Sequence, residues 1–92
     1  MTICKQCFVS GRVQGVFYRD TTRQQAEKLQ LTGYAKNLHD GRVEVVVCGS
    51  EVSVEQLCKW LWRGSEYSAV SDVDCQEIEP HEFEQRKNFV TL

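Results

Sequence analysis

The chain has 92 residues, a formal charge of −2 and 41% hydrophobic residues, which fits one globular domain rather than a disordered chain. The acidic balance argues against a broad basic surface for nucleic acid or anionic lipid, so any anion site has to be local. The longest apolar run, residues 45–48, is far too short for a membrane span, and residues 1–6 lack a signal-peptide core; a cytoplasmic protein is expected.

Residues 3–10 read as a strand rich in Ile, Val, Phe and Cys that stops at Gly11. A loop follows over 11–15, with glycine at both ends. Residues 19–31 read as a helix, because Thr22, Ala26 and Leu29 fall on one face while Gln25, Glu27 and Lys28 take the others. Gly33 closes that segment. Residues 33–38 form a second strand, His39-Asp40-Gly41 carries the Asp-Gly signal of a hairpin, and the β-branched run 43–48 is a third strand ending at Gly49. Residues 53–63 form a second helix. Ser53-Val54-Glu55-Gln56 can make a capping box, Val54, Leu57, Cys58 and Leu61 supply an apolar stripe, and Gly64 is a natural stop. Residues 71–79 are expected as a fourth strand and 89–92 as a short strand on an edge. The order β-α-β-β-α-β is that of an α+β, ferredoxin-like split βαβ fold. It implies a single domain over 1–92, with two helices packed on one face of an antiparallel sheet. That architecture hosts many functions and selects none.

The segment Gly11-Arg12-Val13-Gln14-Gly15-Val16-Phe17-Tyr18-Arg19 joins a strand to a helix start. A loop of this kind can turn several backbone N–H groups toward one point, and the free N–H groups of the first helical turn add to them. Together they can form a concave nest for an oxyanion. Gly15 permits the unusual dihedrals, and the planar fork of Arg19 can bond two phosphate oxygens at once. The plain alternative is a tight turn whose arginine pairs with a surface carboxylate. In the second segment, Gly33-Tyr34-Ala35-Lys36-Asn37-Leu38-His39-Asp40-Gly41-Arg42-Val43, the Asn37 amide can both donate and accept, and so can orient a water. Its plain alternative is support of the turn.

Both segments resemble the two signatures of the acylphosphatase family. The first matches G-R-V-Q-G-V-x-Y-R throughout, with Phe17 at the variable position. The second matches G-Y-A-K-N-x-x-x-G-x-V followed by five residues and Gly49. With the chain length and element order, the resemblance covers nearly the whole sequence. It implies hydrolysis of carboxyl-phosphate anhydrides to a carboxylate and inorganic phosphate, with no cofactor and no metal. By the same resemblance Arg19 binds phosphate, Asn37 positions the nucleophilic water, and the amides of Gly15 to Arg19 cradle the phosphate. A small-molecule acyl phosphate is the implied partner. A monomer is expected, because no oligomerisation stripe stands out.

Other residues have plainer readings. Arg12 is expected to pair with a carboxylate or contact the loop, Tyr18 to pack beside the cradle, and His39 and His81 to be exposed in loops. Trp60 and Trp62 cannot share a helix face, so one packs and the other is exposed. Five cysteines without a secretion signal read as reduced thiols. Cys4 and Cys7 face opposite sides of a strand, which argues against a redox pair or zinc ligation. Strands one and three are neighbours in this fold, so a Cys4–Cys48 cross-strand disulfide is conceivable. Two rivals share the fold: a phosphometabolite-binding module without turnover, and an RNA-binding module. The latter would need central-strand aromatics, which the third strand lacks.

Overall fold

The computed structural model describes residues 2–80 and 87–92; His81 lies outside them. Its elements run β1 (Thr2–Arg12), α1 (Tyr18–Lys28), β2 (Thr32–Asn37), β3 (Val43–Ser50), α2 (Glu51–Arg63), β4 (Ala69–Ile78) and β5 (Phe89–Thr91). The strands make one sheet in the order β4-β1-β3-β2-β5. Strands β1 to β4 pair antiparallel, as the ferredoxin-like order requires. The edge strand β5 runs parallel to β2, so the sheet is mixed rather than purely antiparallel.

Strand periodicity decides which side is core. Ile3, Cys7 and Val9 of β1 and Val43, Val45 and Val47 of β3 face the helices, and all are buried. Helix α1 returns Tyr18, Thr22 and Ala26 to them, and α2 returns Val54, Leu57 and Leu61. Burial of each of these Leu and Val side chains contributes roughly 1.5–3 kcal/mol. Thr22 is a polar group in this core, and its hydroxyl donates to the Tyr18 carbonyl oxygen at 2.7 Å.

Several boundaries differ from the sequence expectation for identifiable reasons. Helix α2 starts two residues early because the Ser50 hydroxyl, not Ser53, caps it by accepting from the Ser53 N–H at 3.3 Å. Helix α1 ends at Lys28. The left-handed residue that follows it is Gln30 (φ 58°), and Gly33 lies in β2, as the expected strand start at 33 has it. Gly64 does end α2.

The cysteines also depart from the reduced reading. Cys4 stands directly opposite Cys48, and Cys7 opposite Cys75. Both pairs are joined as disulfides, with Cα separations of 4.1 and 4.0 Å. Side chains at opposed positions of an antiparallel pair already point the same way, so pairing needs no backbone movement. Cys4 and Cys7 use opposite faces, as their spacing requires: Cys7 approaches Cys58 of α2, while Cys4 approaches the Pro80 carbonyl oxygen.

Candidate active site

The loop after β1 is aimed by an irregularity in the β1–β4 pairing between Ser10 and Gly11, a device that commonly redirects a strand end beside a site. Beyond it, Val13 and Val16 insert into the core while Gly15 and Phe17 stay exposed. The Gln14 amide donates to the carbonyl oxygens of Leu38 and Arg42 at 2.8 and 2.9 Å. This clamp holds the loop against the β2–β3 hairpin, whose first strand ends at Asn37.

The carbonyl groups of Val16, Phe17 and Tyr18 are each committed to a hydrogen bond. Val16 O accepts from the buried Ser65 hydroxyl at 2.7 Å. Phe17 O accepts from the Thr21 hydroxyl at 2.8 Å and its N–H at 3.0 Å. Tyr18 O accepts from Thr22. The peptide bonds are trans, and in a trans peptide the N–H of the next residue points opposite to the C=O. The amides of Phe17, Tyr18 and Arg19 therefore point away from those three bonds. Among the described residues, no backbone hydrogen bond joins the amides of Gly15 to Arg19 to another backbone group. Gly15 (φ 75°) and Phe17 (φ 63°) are left-handed on either side of Val16, the alternation that forms an anion nest. A Cβ on Gly15 would meet open space, so positive φ, not crowding, is what favours glycine there.

A cleft of about 260 Å³ opens over this loop, lined by Val13, Gly15, Phe17, Tyr18, Arg19, Asp20 and Thr91. Arg19 is half-buried, and its Nη1 donates to the Leu92 carbonyl oxygen at 2.6 Å. Leu92 is itself fixed by its N–H on Ala35 O at 2.8 Å. Asp20 would oppose an anion in the cleft, but its carboxylate is held by Arg23 at 2.8 Å and Gln24 at 3.1 Å. Tyr18 packs beneath the loop. Its hydroxyl donates to Leu61 O at 2.7 Å, its ring lies 5.9 Å from that of Trp60, and burial raises its pKa well above the ordinary value.

Of the residues singled out by sequence, Gly15, Phe17, Tyr18 and Arg19 line the cleft. Val16 sits behind it as the anchor to Ser65. Asn37 is half-buried at the end of β2 and outside the cleft lining; its Oδ1 is buried with no hydrogen-bond donor among the described residues. Arg12 is exposed and makes no ion pair among the described residues, so of the two expected roles the carboxylate partner is not the one seen. His39 and Trp62 are exposed, and Trp60 packs on the core. Sequence reasoning missed Ser65, Thr91 and Leu92, which reach the loop from distant parts of the chain; only the fold reveals them.

The acylphosphatase family model matches residues 5–91. The chain belongs to the acylphosphatase family. An acylphosphatase of Chromohalobacter salexigens is 49% identical over 76 residues, which cover 83% of this chain and 84% of that one. The solved acylphosphatase of Coxiella burnetii superposes with a TM-score of 0.91 at 45% identity, covering 99% of this chain and 93% of that one. That of Bacillus subtilis gives 0.91 at 33% identity, covering 100% and 99%. The chain is thus an acyl-phosphate hydrolase of this family. Among the described residues, no helix is long and apolar enough to cross a membrane.

Proposed function

We propose that the cleft binds the phosphoryl end of an acyl phosphate, with the amides of Gly15, Val16, Phe17, Tyr18 and Arg19 as the cradle, the Arg19 guanidinium as the counter-charge, and Asn37 as the residue that places the attacking water. The observation that carries this reading is that the loop carbonyls of Val16, Phe17 and Tyr18 are already hydrogen-bonded. That leaves a row of amide donors for the cleft before any ligand arrives. Such preorganised donors cost no reorganisation as charge develops.

The roles follow from the chemistry of the bond. Phosphoryl transfer passes through a loose transition state, so positioning and charge stabilisation dominate. The leaving carboxylate has a conjugate acid of pKa about 4 and departs without a general acid. The reading therefore assigns no histidine or carboxylate to the chemistry, and no metal. Arg19 spends Nη1 on Leu92, which fixes its plane and leaves its other N–H groups for two phosphate oxygens. The Asn37 side-chain amide, which can both donate and accept, is the group given to the attacking water. A phosphate oxygen of the substrate then takes the proton that this water loses on attack. The reading extends to a monomer acting in the cytoplasm.

The direct test is an amide-shift titration of ¹⁵N-labelled protein with inorganic phosphate. Saturable shifts confined to the amides of residues 15–19 and their neighbours are expected. Shifts spread over the surface, or centred elsewhere, would contradict the cradle.

A further inference from the structure

Three sulfurs meet outside the cleft lining, beneath helix α2. Cys7 comes from the middle of β1, Cys75 from the position directly across on the edge strand β4, and Cys58 from α2. The Sγ atoms of Cys7 and Cys58 are 3.8 Å apart, and the three sulfurs all lie within 4.8 Å of one another. Cys7 is fully buried, while Cys58 and Cys75 are half-buried. With Cys7 and Cys75 joined, Cys58 remains a free thiol.

Such a trio has two chemical uses, and the geometry separates them. Thiol–disulfide exchange needs in-line approach. A thiol 3.8 Å from one sulfur would then stand about 5.8 Å from the leaving sulfur, given a disulfide bond of about 2.05 Å. The observed limit of 4.8 Å makes a triangle instead. A triangle is what a metal ion requires. With metal–sulfur bonds of about 2.3 Å, three thiolates around one ion sit about 4 Å apart. Cys7 and Cys58 already have that spacing. Reduced Cys7 and Cys75, at directly opposed strand positions, reach it by side-chain rotation alone.

We propose that reduction of the Cys7–Cys75 bond turns Cys7, Cys58 and Cys75 into a three-thiolate site for a soft monovalent ion, Cu(I), and that closing the bond abolishes it. The ion follows from the ligand set. Thiolates select soft ions, and among the described residues no fourth His, Cys, Asp or Glu joins the group to complete the four-coordinate shell that structural zinc takes. Burial holds the Cys58 thiol above its ordinary pKa, with Lys5 opposing and Glu55 adding to that shift, so the ion has to displace its proton. A dithiol reductant delivers two electrons and two protons to the disulfide and becomes a disulfide itself. The entering ion then displaces one proton from each of the three thiols to water.

The test uses the full chain carrying Cys4→Ser and Cys48→Ser, so that only the trio can bind. It is reduced with a phosphine under anaerobic conditions and titrated with Cu(I) against a chromogenic Cu(I) chelator, with acyl-phosphate hydrolysis as the check of folding. One Cu(I) per chain is expected. Cys58→Ser or Cys75→Ser should weaken it at least tenfold, and copper-edge X-ray absorption should find three sulfurs near 2.3 Å. If the serine pair prevents folding, reduced wild type compared with its Cys58→Ser variant reads the same difference as the loss of one tightly held equivalent. Failure of the reduced protein to retain Cu(I), unchanged binding in Cys58→Ser, or tighter retention of Zn(II) than of Cu(I) would overturn the proposal.

Discussion

Ser65→Ala probes the cradle without touching it. The Ser65 hydroxyl donates to Val16 O at 2.7 Å in a buried setting, and Ser65 is itself 8% exposed. Alanine removes the bond and leaves a buried carbonyl oxygen without its donor, which costs roughly 1–3 kcal/mol. For a domain of this size each kcal/mol lowers Tm by about 4–8 °C, so a fall of about 8–16 °C is expected for a loss near 2 kcal/mol. The same bond fixes the peptide whose N–H belongs to Phe17. Freed from it, that donor is misaligned rather than lost, so the penalty should be smaller than the 10²–10³-fold typical of deleting an oxyanion donor. About tenfold in kcat/KM is expected, with a parallel rise in the inhibition constant of inorganic phosphate. The assays are a thermal melt and benzoyl phosphate hydrolysis on the same sample. A Tm within 2 °C of wild type together with unchanged phosphate inhibition would refute the claim that Ser65 orients the cradle.

Phe17 is 72% exposed and held at φ 63°, so glycine there should be more stable than alanine by about 1 kcal/mol in urea unfolding; equal stabilities would show that the left-handed conformation carries no strain. Leu57 is completely buried, and Leu57→Ala should cost about 2–5 kcal/mol, whereas Val52→Ala at an exposed site should stay within about 0.5 kcal/mol; the same denaturation series reads both. The Asp40 carboxyl is held below its ordinary 3.8 by the Arg42 backbone N–H, with the Arg42 side chain adding to it. An NMR titration should therefore find its midpoint below 3.8, and Arg42→Ala should move it part of the way back. Because the folded value is the depressed one, its stabilising contribution is present above the unfolded value and is lost as pH falls through the folded one.

Local signals in the sequence carried far. Apolar spacing located both helices, the Asp-Gly pair at 40–41 located the hairpin, and the glycine-framed loop before Arg19 located the cleft. What stayed hidden depends on pieces of chain that are distant in sequence. Ser65 reaches Val16 across 49 residues and Arg19 reaches Leu92 across 73, and no local pattern encodes either contact. Cys7 and Cys75 pair only because the β1–β4 register opposes them. The parallel sense of β5 is likewise a matter of topology, since a three-residue strand carries no signal of direction. Ser50 and Ser53 are each a chemically reasonable cap, and where the β3 ladder ends decides between them.

In the proposed reading, Arg19, Asn37 and a row of backbone amides suffice for acyl-phosphate hydrolysis. Benzoyl phosphate hydrolysis in the presence of EDTA, by wild type, Arg19→Lys and Asn37→Ala, tests it most directly. Undiminished turnover by wild type is expected, with loss of most activity and weakened phosphate binding in Arg19→Lys and a kcat lowered roughly 10²–10³-fold in folded Asn37→Ala. Near-native rates in either variant, or abolition of wild-type activity by EDTA, would contradict it.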